Sequence, residues 1–512
     1  MSIKKLFLLC FFSILIPLNV LVGVFMTDWF YPLSVIAFII LELVNILVAY
    51  RLSEFICSLL VRDDDLPSLP ALESTPSVAL LYTTFNDAMS EVLESLTQQT
   101  YPNYKIFILD DSTDSQYRSL IDSYGYRTVR RTERTGFKGG ALNNWLSLYG
   151  RDYQYFIILD SDSLLDNDFV ERMVRYGEHP ANSNVAIFQS KWRIWNTQNR
   201  FPRLLGSILP LWFFPLEKLA NEYETPLVMG HNNMFRVALL EDVGGFDERF
   251  VCEDLATSLN VLEQGYECKY VNVISYEASP ETIKSYATRH IRWATGTVEV
   301  AKQGTRDVSF ITNLHLLIAA LSYLIYIAYL PGMLILTWGF ASSITDVSTL
   351  FDFIFSGAII HTWLFAPMAL IGFYIVNFMF LRLYLARKLH IPSKTYLAGM
   401  LVFPTLDIYM MIPLIVGLIR TLFGEKVRFT VTDKKTGSVS FLGIVRQMKF
   451  GLILWALLVI GVAHNPITLV FNFFWIIPYA ASPFVLYTIQ RAEPRQGRLT
   501  ASIDNMPVVN RA

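Results

Sequence analysis

Apolar residues are spread along this chain in two different ways. Near the N-terminus they form unbroken runs, "LFLLCFFSILIPLNVLVGVFM" (6–26) and "LSVIAFIILELVNILVAY" (33–50). Each is close to the roughly 20 residues that a bilayer core requires. The first has no small-residue cleavage site and is longer than a signal peptide core, so it reads as a retained span. From about 70 to 305 the runs shorten to "SVALLY", "KIFILD" and "QYFIILD", and amphipathic stretches such as "AMSEVLESLTQQ" lie between them. Strands alternating with helices predict a parallel α/β sheet. Long apolar runs return at 313–340, 354–380, 447–463 and 466–488. The pattern predicts an α/β domain (70–305) inserted between two N-terminal transmembrane helices (1–52) and a C-terminal transmembrane bundle (306–490), with six spans in all. The segment 396–422 carries Pro404, Asp407 and Pro413 and reads as an interfacial or re-entrant helix.

Composition agrees with a membrane protein. The chain is 53% apolar and only 17% charged, where soluble domains are about a quarter charged. The lipid bilayer is therefore an expected partner. The net charge of −2 gives no overall basic field, so nucleic acid is not. Basic residues gather at the ends of the apolar runs: Lys4, Lys5 and Arg51; Arg382, Arg387 and Lys388; Lys434, Lys435 and Arg446; Arg491, Arg495 and Arg498. The positive-inside rule assigns all of these to the cytoplasm. The 70–305 domain, the loop 424–446 and the basic tail 491–512 are then cytoplasmic parts of a multi-pass inner (plasma) membrane protein. Four cysteines without C-x-x-C spacing and seven scattered histidines argue against a disulfide framework or a zinc site. Glu42, inside the second span, reads either as a functional carboxyl or as a hydrogen-bonded one facing the bundle.

The chemistry concentrates at the ends of the predicted strands, where open α/β sheets bind ligands. "KIFILDDSTD" ends a strand in Asp110 and Asp111; "QYFIILDSDS" ends another in Asp160, Ser161 and Asp162. One such cluster alone reads best as helix-capping aspartates. Two behind matched apolar strands favour a site, with Asp160 and Asp162 offering hard oxygen ligands to Mg²⁺ or Mn²⁺. Between them, "RTGFKGGALNNWL" supplies Lys138, then Gly139 and Gly140, then a helix over 141–146. A helix N-terminus there suits phosphate; a plain turn is the alternative. Glu253 and Asp254 open an amphipathic helix, where acidic residues often serve only as dipole partners. In "TRHIRWATG", Arg289 and Arg292 lead into Trp293, which is an acceptor platform or a membrane-interface tryptophan. Trp192 and Trp195, at i, i+3 spacing, read as core or membrane-facing residues.

The ordered set "TTFND", "LDDSTD", "KGGALN", "DSDS", "GGFDE" with "CED", and "RHIRW" covers about 76–300. As a set it resembles the processive family-2 glycosyltransferases of the Rossmann-like GT-A fold, which include bacterial cellulose, hyaluronan and chitin synthases. "FTVTDK" (429–434) resembles the F-x-V-T-x-K gating-loop motif of cellulose synthase catalytic subunits, through Phe429, Val431, Thr432 and Lys434. The resemblance implies that Asp110 or Asp111 contacts the uridine of a UDP-sugar and that Lys138 belongs to the same donor site. It implies that Asp160 and Asp162 hold the diphosphate through Mg²⁺ or Mn²⁺, with Arg292 on the diphosphate and Trp293 stacked on the acceptor sugar. Asp254 matches the general base, with Glu253 beside it in the catalytic pair. A single displacement would invert the anomeric carbon and leave a β-glycosidic bond. Arg289 stands where the family has glutamine. "QRAEPRQGR" resembles the opening of the cyclic di-GMP-binding PilZ domain, but the chain stops at residue 512, too soon for that domain. Envelope partner subunits are implied by the resemblance alone.

The expected function is transfer of sugar from a UDP-sugar, with UDP-glucose the first donor to test, to a growing β-glycan that is secreted across the membrane. The alternative is a non-processive transferase acting on a lipid-linked or short glycan acceptor. A third class, a nucleotide-sugar-binding transporter or scaffold, has no use for a base such as Asp254. The loop "GHNN" (230–233) differs from the small-residue loop common in cellulose synthases, so the motifs leave the sugar open.

Overall fold

The computed structural model describes residues 2–20, 23, 32–61, 69, 71–223, 228–305, 307–339, 381–427, 440–464 and 469–490. The gating-loop residues Phe429, Val431, Thr432 and Lys434, the expected span 354–380 and the tail 491–512 lie outside the described residues. The described chain falls into two compact units. One is helical and draws on Met1–Val61, Ile318–Gly424 and Gly437–Glu493; the other is centred on Arg62–Leu317.

The helical unit opens with α1 (Ile3–Val20) and α2 (Pro32–Leu60). They meet through buried aromatics: Phe7 stacks on Phe11 at 6.2 Å and meets Tyr50 edge-on at 5.2 Å. The Asn45 amide donates to Asn19 Oδ1 at 3.2 Å, a pairing that removes two polar groups from an apolar setting. Among the described residues four helices are long and apolar enough to cross a membrane, or five if the pair Phe441–Gln447 and Lys449–His464, bent by 71°, counts as one. Residues 396–422, expected as an interfacial or re-entrant helix, lie within one 30-residue helix, Ser393–Leu422, with Pro404 and Pro413 inside it. At 1.5 Å per residue that is about 45 Å, enough to span. Proline weakens a helix locally, but apolar packing along its length carries this one through.

The second unit holds an eight-stranded sheet: β1 (Val78–Thr84), β2 (Tyr104–Asp110), β3 (Arg127–Val129), β4 (Tyr155–Asp160), β5 (Leu164–Leu165), β6 (Val185–Ile194), β7 (Asn233–Arg236) and β8 (Glu267–Glu277). Its helices are α3 (Ser90–Ser95), α4 (Ser115–Ser123), α5 (Phe137–Tyr149), α6 (Phe169–Glu178), α7 (Arg200–Tyr223), α8 (Val237–Asp242), α9 (Glu253–Glu263) and α10 (Ile283–Gln303). The strand order is β3-β2-β1-β4-β7-β6-β8-β5. The first four strands are parallel, as the alternation predicts. The whole sheet is not: β7 runs antiparallel to both β4 and β6, and β5 runs antiparallel to β8. Among the described elements, the only complete helix between β6 and β7 is α7, and β7 itself has four residues. So short a strand carries too little periodicity to reveal its direction.

β1 and β4 are buried on both faces, which explains why they read as continuous apolar runs. Successive side chains point to opposite faces. Leu80, Tyr82, Ile157 and Leu159 therefore pack with Val92, Phe169 and Met173 of α3 and α6. Ala79, Leu81, Phe156 and Ile158 pack on the other face with Leu142 and Trp145 of α5. Phe156 stacks on Phe235 of the neighbouring strand at 4.9 Å. The chain leaves β1 toward β2 and β3, then returns to β4 on the other side of β1. This reversal of direction opens a crevice at the carboxyl ends of β1 and β4.

Trp145 is fully buried and touches Phe107 and Phe156. Trp145→Ala should cost about 3–5 kcal/mol of stability, checked as a fall of several degrees in the melting temperature of the detergent-purified protein.

Candidate active site

Asp110 ends β2 and Asp160 ends β4, and both face β1: Asp110 is paired in register with Thr84 and Asp160 with Thr83. Two interstrand spacings put them about 10 Å apart. Each lies in a different charge environment.

The Asp110–Asp111 end is already matched by arginine. The buried Asp110 accepts Arg130 Nε at 2.7 Å and the Ser112 N–H at 2.9 Å. Asp111 takes a two-pronged bond from Arg131, at 2.8 and 2.6 Å, and Arg134 Nε lies 3.5 Å away. Arg134 in turn lies flat over the Phe85 ring, 3.5 Å from its centroid. In sequence these three arginines, in "VRRTER", form no recognisable motif. Asp87 of "TTFND" has a further role that its position alone does not reveal. It accepts from Thr84 Oγ1 and the Phe85 N–H, both at 2.9 Å, and from Ser161 Oγ at 2.6 Å, which ties the ends of β1 and β4 together.

At the end of β4, Lys138 Nζ donates to Asp160 Oδ1 at 2.5 Å and to the Gly230 carbonyl at 2.7 Å. Burial opposes the ammonium charge, but Asp160, Glu253 and Asp254 outweigh it and hold Lys138 above its ordinary range. Lys138 is in the first turn of α5, which starts four residues earlier than expected, after Gly136 at φ +66°. Gly139 and Gly140 are therefore helical and not part of a turn. A Cβ on Gly139 would lie 3.3 Å from Glu253 Cβ, and one on Gly140 would overlap the Thr135 carbonyl. The two glycines let α5 approach α9 and the Arg131 loop closely.

Glu253 and Asp254 form the first turn of α9, as the sequence predicts. Burial, and then the adjacent Asp254 carboxylate, push Glu253 up to about 7 against the pull of Lys138. Burial also raises Asp254, opposed by the Leu255 N–H that it accepts at 2.9 Å and by Lys138. Gly230, at φ +72°, presses on this carboxylate: a Cβ there would sit 2.6 Å from Asp254 Oδ2. One lysine thus joins Asp160, the Gly230 loop and the Glu253–Asp254 pair.

The loop continues into His231, Asn232 and Asn233, all buried. Both side-chain amide atoms of Asn232 and of Asn233 lack a hydrogen-bond partner among the described residues. His231 Nε2 lies 2.9 Å from Glu277 Oε2, and Arg289 Nη1 donates to Glu277 Oε1 at 3.0 Å. Burial lowers the tendency of His231 to hold a proton, but Glu277 more than reverses this, and the same partners hold Glu277 below the usual carboxylate range. Neither His231 nor Glu277 stood out in the sequence, because a lone histidine and a strand-end glutamate have no local signature. Arg289 lies over the Trp293 ring, 4.7 Å from its centroid. Arg292 is half-buried on the same helix. Burial, Asp254 and Glu253 raise the Cys252 thiol and Arg292 pulls it down. A Cβ on Gly296 would overlap Cys252 Sγ, so this face of α10 packs against the start of α9.

Asp160 and Asp162 present hard carboxylate oxygens at D-x-D spacing, a donor set suited to Mg²⁺ or Mn²⁺. Among the described residues no three His, Cys, Asp or Glu side chains form a closed cage. A cation here would therefore complete its shell with water and substrate phosphate, as Mg²⁺ commonly does. Asp162 is half-buried, and its carbonyl accepts Trp195 Nε1 at 2.8 Å. Trp195 packs against the core, as its spacing suggested, and also braces the loop that carries Asp162.

Glycosyl transferase family group 2 matches residues 155–419, just over half of the chain. Probable glucomannan 4-beta-mannosyltransferase 11 of Oryza sativa subsp. japonica is 26% identical over 230 residues, covering 41% of this chain and 40% of that protein. Glucomannan 4-beta-mannosyltransferase 2 of Arabidopsis thaliana is 24% identical over 217 residues, covering 40% of each. The chain thus matches about two-fifths of the length of these curated relatives. The solved structure of mannosyltransferase PcManGT from Pyrobaculum calidifontis in complex with GDP-Man and Mn²⁺ is similar at 21% identity and a TM-score of 0.45, covering 66% of this chain and 99% of that one. The chain belongs to glycosyl transferase family group 2.

Proposed function

We propose that the protein is an inverting β-glycan synthase of the inner membrane. It takes hexose from a nucleotide sugar on the cytoplasmic face, with UDP-glucose the first donor, and extends a β-glycan that passes out through its own helices. One observation carries this reading: Lys138 bonds Asp160 and Gly230 and lies in the field of the Glu253–Asp254 pair, so a phosphate site and a base share one cation. The apolar helices support passage through the membrane. The names of the plant relatives favour a second donor, a mannosyl nucleotide.

In this reading Asp254 takes the proton of the acceptor hydroxyl as that oxygen forms its bond to the anomeric carbon. The bond from that carbon to the diphosphate oxygen breaks on the opposite face, and the nucleoside diphosphate leaves with the electron pair. Lys138 and Arg292 stabilise the charge that builds on it. A divalent cation held by Asp160 and Asp162 would supply further charge neutralisation there. Asp110 and Asp111, fixed by Arg130 and Arg131, present the rim of the β2 end to the nucleoside. The flat face of Trp293 suits the C–H face of a pyranose. The unpartnered amides of Asn232 and Asn233 suit sugar hydroxyls, because a buried polar group without a partner is costly. Phe429, Val431, Thr432 and Lys434 are proposed to gate the donor on the strength of their motif alone.

Inverted membrane vesicles given UDP-glucose, UDP-GlcNAc or GDP-mannose should make a high-molecular-weight β-glucan from UDP-glucose. Chelation of divalent ions should stop it, and Mg²⁺ or Mn²⁺ should restore it. Polymer from GDP-mannose would move the assignment to the mannosyl reading, and one sugar in the lipid fraction would favour a non-processive enzyme. No transfer from any donor sinks the proposal.

Asp254→Asn should lower kcat at least about 100-fold, while Glu253→Gln should retain more than a tenth of the wild-type rate. The base works ionised and burial raises it, so kcat/KM should be full above the raised value and fall as pH drops through it. That acid limb should lie above the ordinary aspartate range in the measured pH profile. Gly230→Ala should cost about 1–2 kcal/mol of backbone strain and displace Asp254, read as at least a tenfold loss of transfer in protein that still purifies as a single species.

A further inference from the structure

Arg289 stands where the motif that the chain resembles has glutamine, and the structure gives it two contacts. Its guanidinium donates to Glu277 Oε1 at 3.0 Å and lies over the indole of Trp293, one helical turn later, at 4.7 Å. The other Glu277 oxygen is 2.9 Å from His231 Nε2. His231 follows Gly230, the residue that presses on Asp254 and accepts from Lys138. Arg289, Glu277 and His231 are all less than a tenth exposed. A buried ion chain therefore runs from the loop beside the expected base and metal site to the expected acceptor platform, and Glu277 at the end of β8 is its centre.

We propose that Arg289 is a positioning residue for the acceptor and not a ligand of the diphosphate: it sets the plane of the Trp293 ring, and Glu277 and His231 hold it there. The inference rests on the reading of Trp293 as the acceptor platform. The physical argument is one of available charge and shape. The guanidinium has an anionic partner in Glu277 and lies over the indole. Glutamine could donate to Glu277 but could neither neutralise it nor cover the indole in the same way. Arg289 and Glu277 thus depend on each other, and removing either partner leaves a buried charge uncompensated.

The test uses the full-length protein in detergent, with the donor that supports wild-type transfer and a short β-linked oligosaccharide as acceptor. Arg289→Lys keeps the charge opposite Glu277 and removes the planar group from Trp293. It should raise the acceptor KM at least fivefold and change the donor KM less than twofold. Glu277→Gln should act in the same direction, and Glu277→Gln with Arg289→Gln should be no worse than the more damaging single change, because both remove one interaction. An unchanged acceptor KM in Arg289→Lys overturns the inference, and so does a defect confined to the donor KM, which would make Arg289 a donor ligand. Wild-type protein that transfers from no nucleotide hexose tells instead against the proposed function.

Discussion

A single ammonium group balances the centre of this site. Lys138 reaches Asp160 at the end of one strand, the Gly230 carbonyl at the start of another, and the field of two carboxylates at the head of α9. Three carboxylates brought together in a half-buried crevice would repel one another and take up protons. The lysine lets them stay close, and much of the surrounding backbone serves that approach. Gly136 turns the chain into α5, Gly139 admits α9, and Gly230 lets the loop lie against Asp254. A side chain at Gly139 would press on Glu253, and one at Gly230 on Asp254.

The sheet explains why the charges meet where they do. β1 is the pivot of the strand order, so its two neighbours end on either side of one crevice. Asp110 and Asp160 are far apart in sequence and about two interstrand spacings apart in space. Their environments differ: arginines match the β2 end, while the β4 end has one lysine facing several acids. This asymmetry suits a ligand with a polar ring at one end and a diphosphate at the other. It suits the nucleotide-sugar donor proposed for this site.

Electrostatics divides the labour within α9 and α10. Asp254 and Glu253 sit where burial raises both, and a carboxylate raised above its ordinary range is a better proton acceptor than one at its ordinary value. On α10, Arg289 is bound to Glu277 while Arg292 faces Cys252 and the start of α9. The two arginines of one short motif are therefore not equivalent. The first belongs to an internal ion chain, and the second acts on the Cys252 thiol at the head of α9.

Much of this was legible in the sequence. The strands ending in Asp110 and Asp160, the helix opening at Glu253 and the long apolar helices all follow from local periodicity, which a single chain displays directly. The ordered motifs carried the family as well. What the sequence left open depends on contacts between distant segments. The antiparallel run of β7, the continuity of Ser393–Leu422 through two prolines, and the helical place of Gly139 and Gly140 were each decided by packing. The pairing of Asp110 and Asp111 with arginines some twenty residues on, and of Arg289 with Glu277 and His231, has no local signature because ion pairs form across space. Sequence by itself determined which chemical groups this protein has and the order in which they come. Only the tertiary structure decided which charges neutralise which, because that depends on distance and burial, and neither is a property of any one segment.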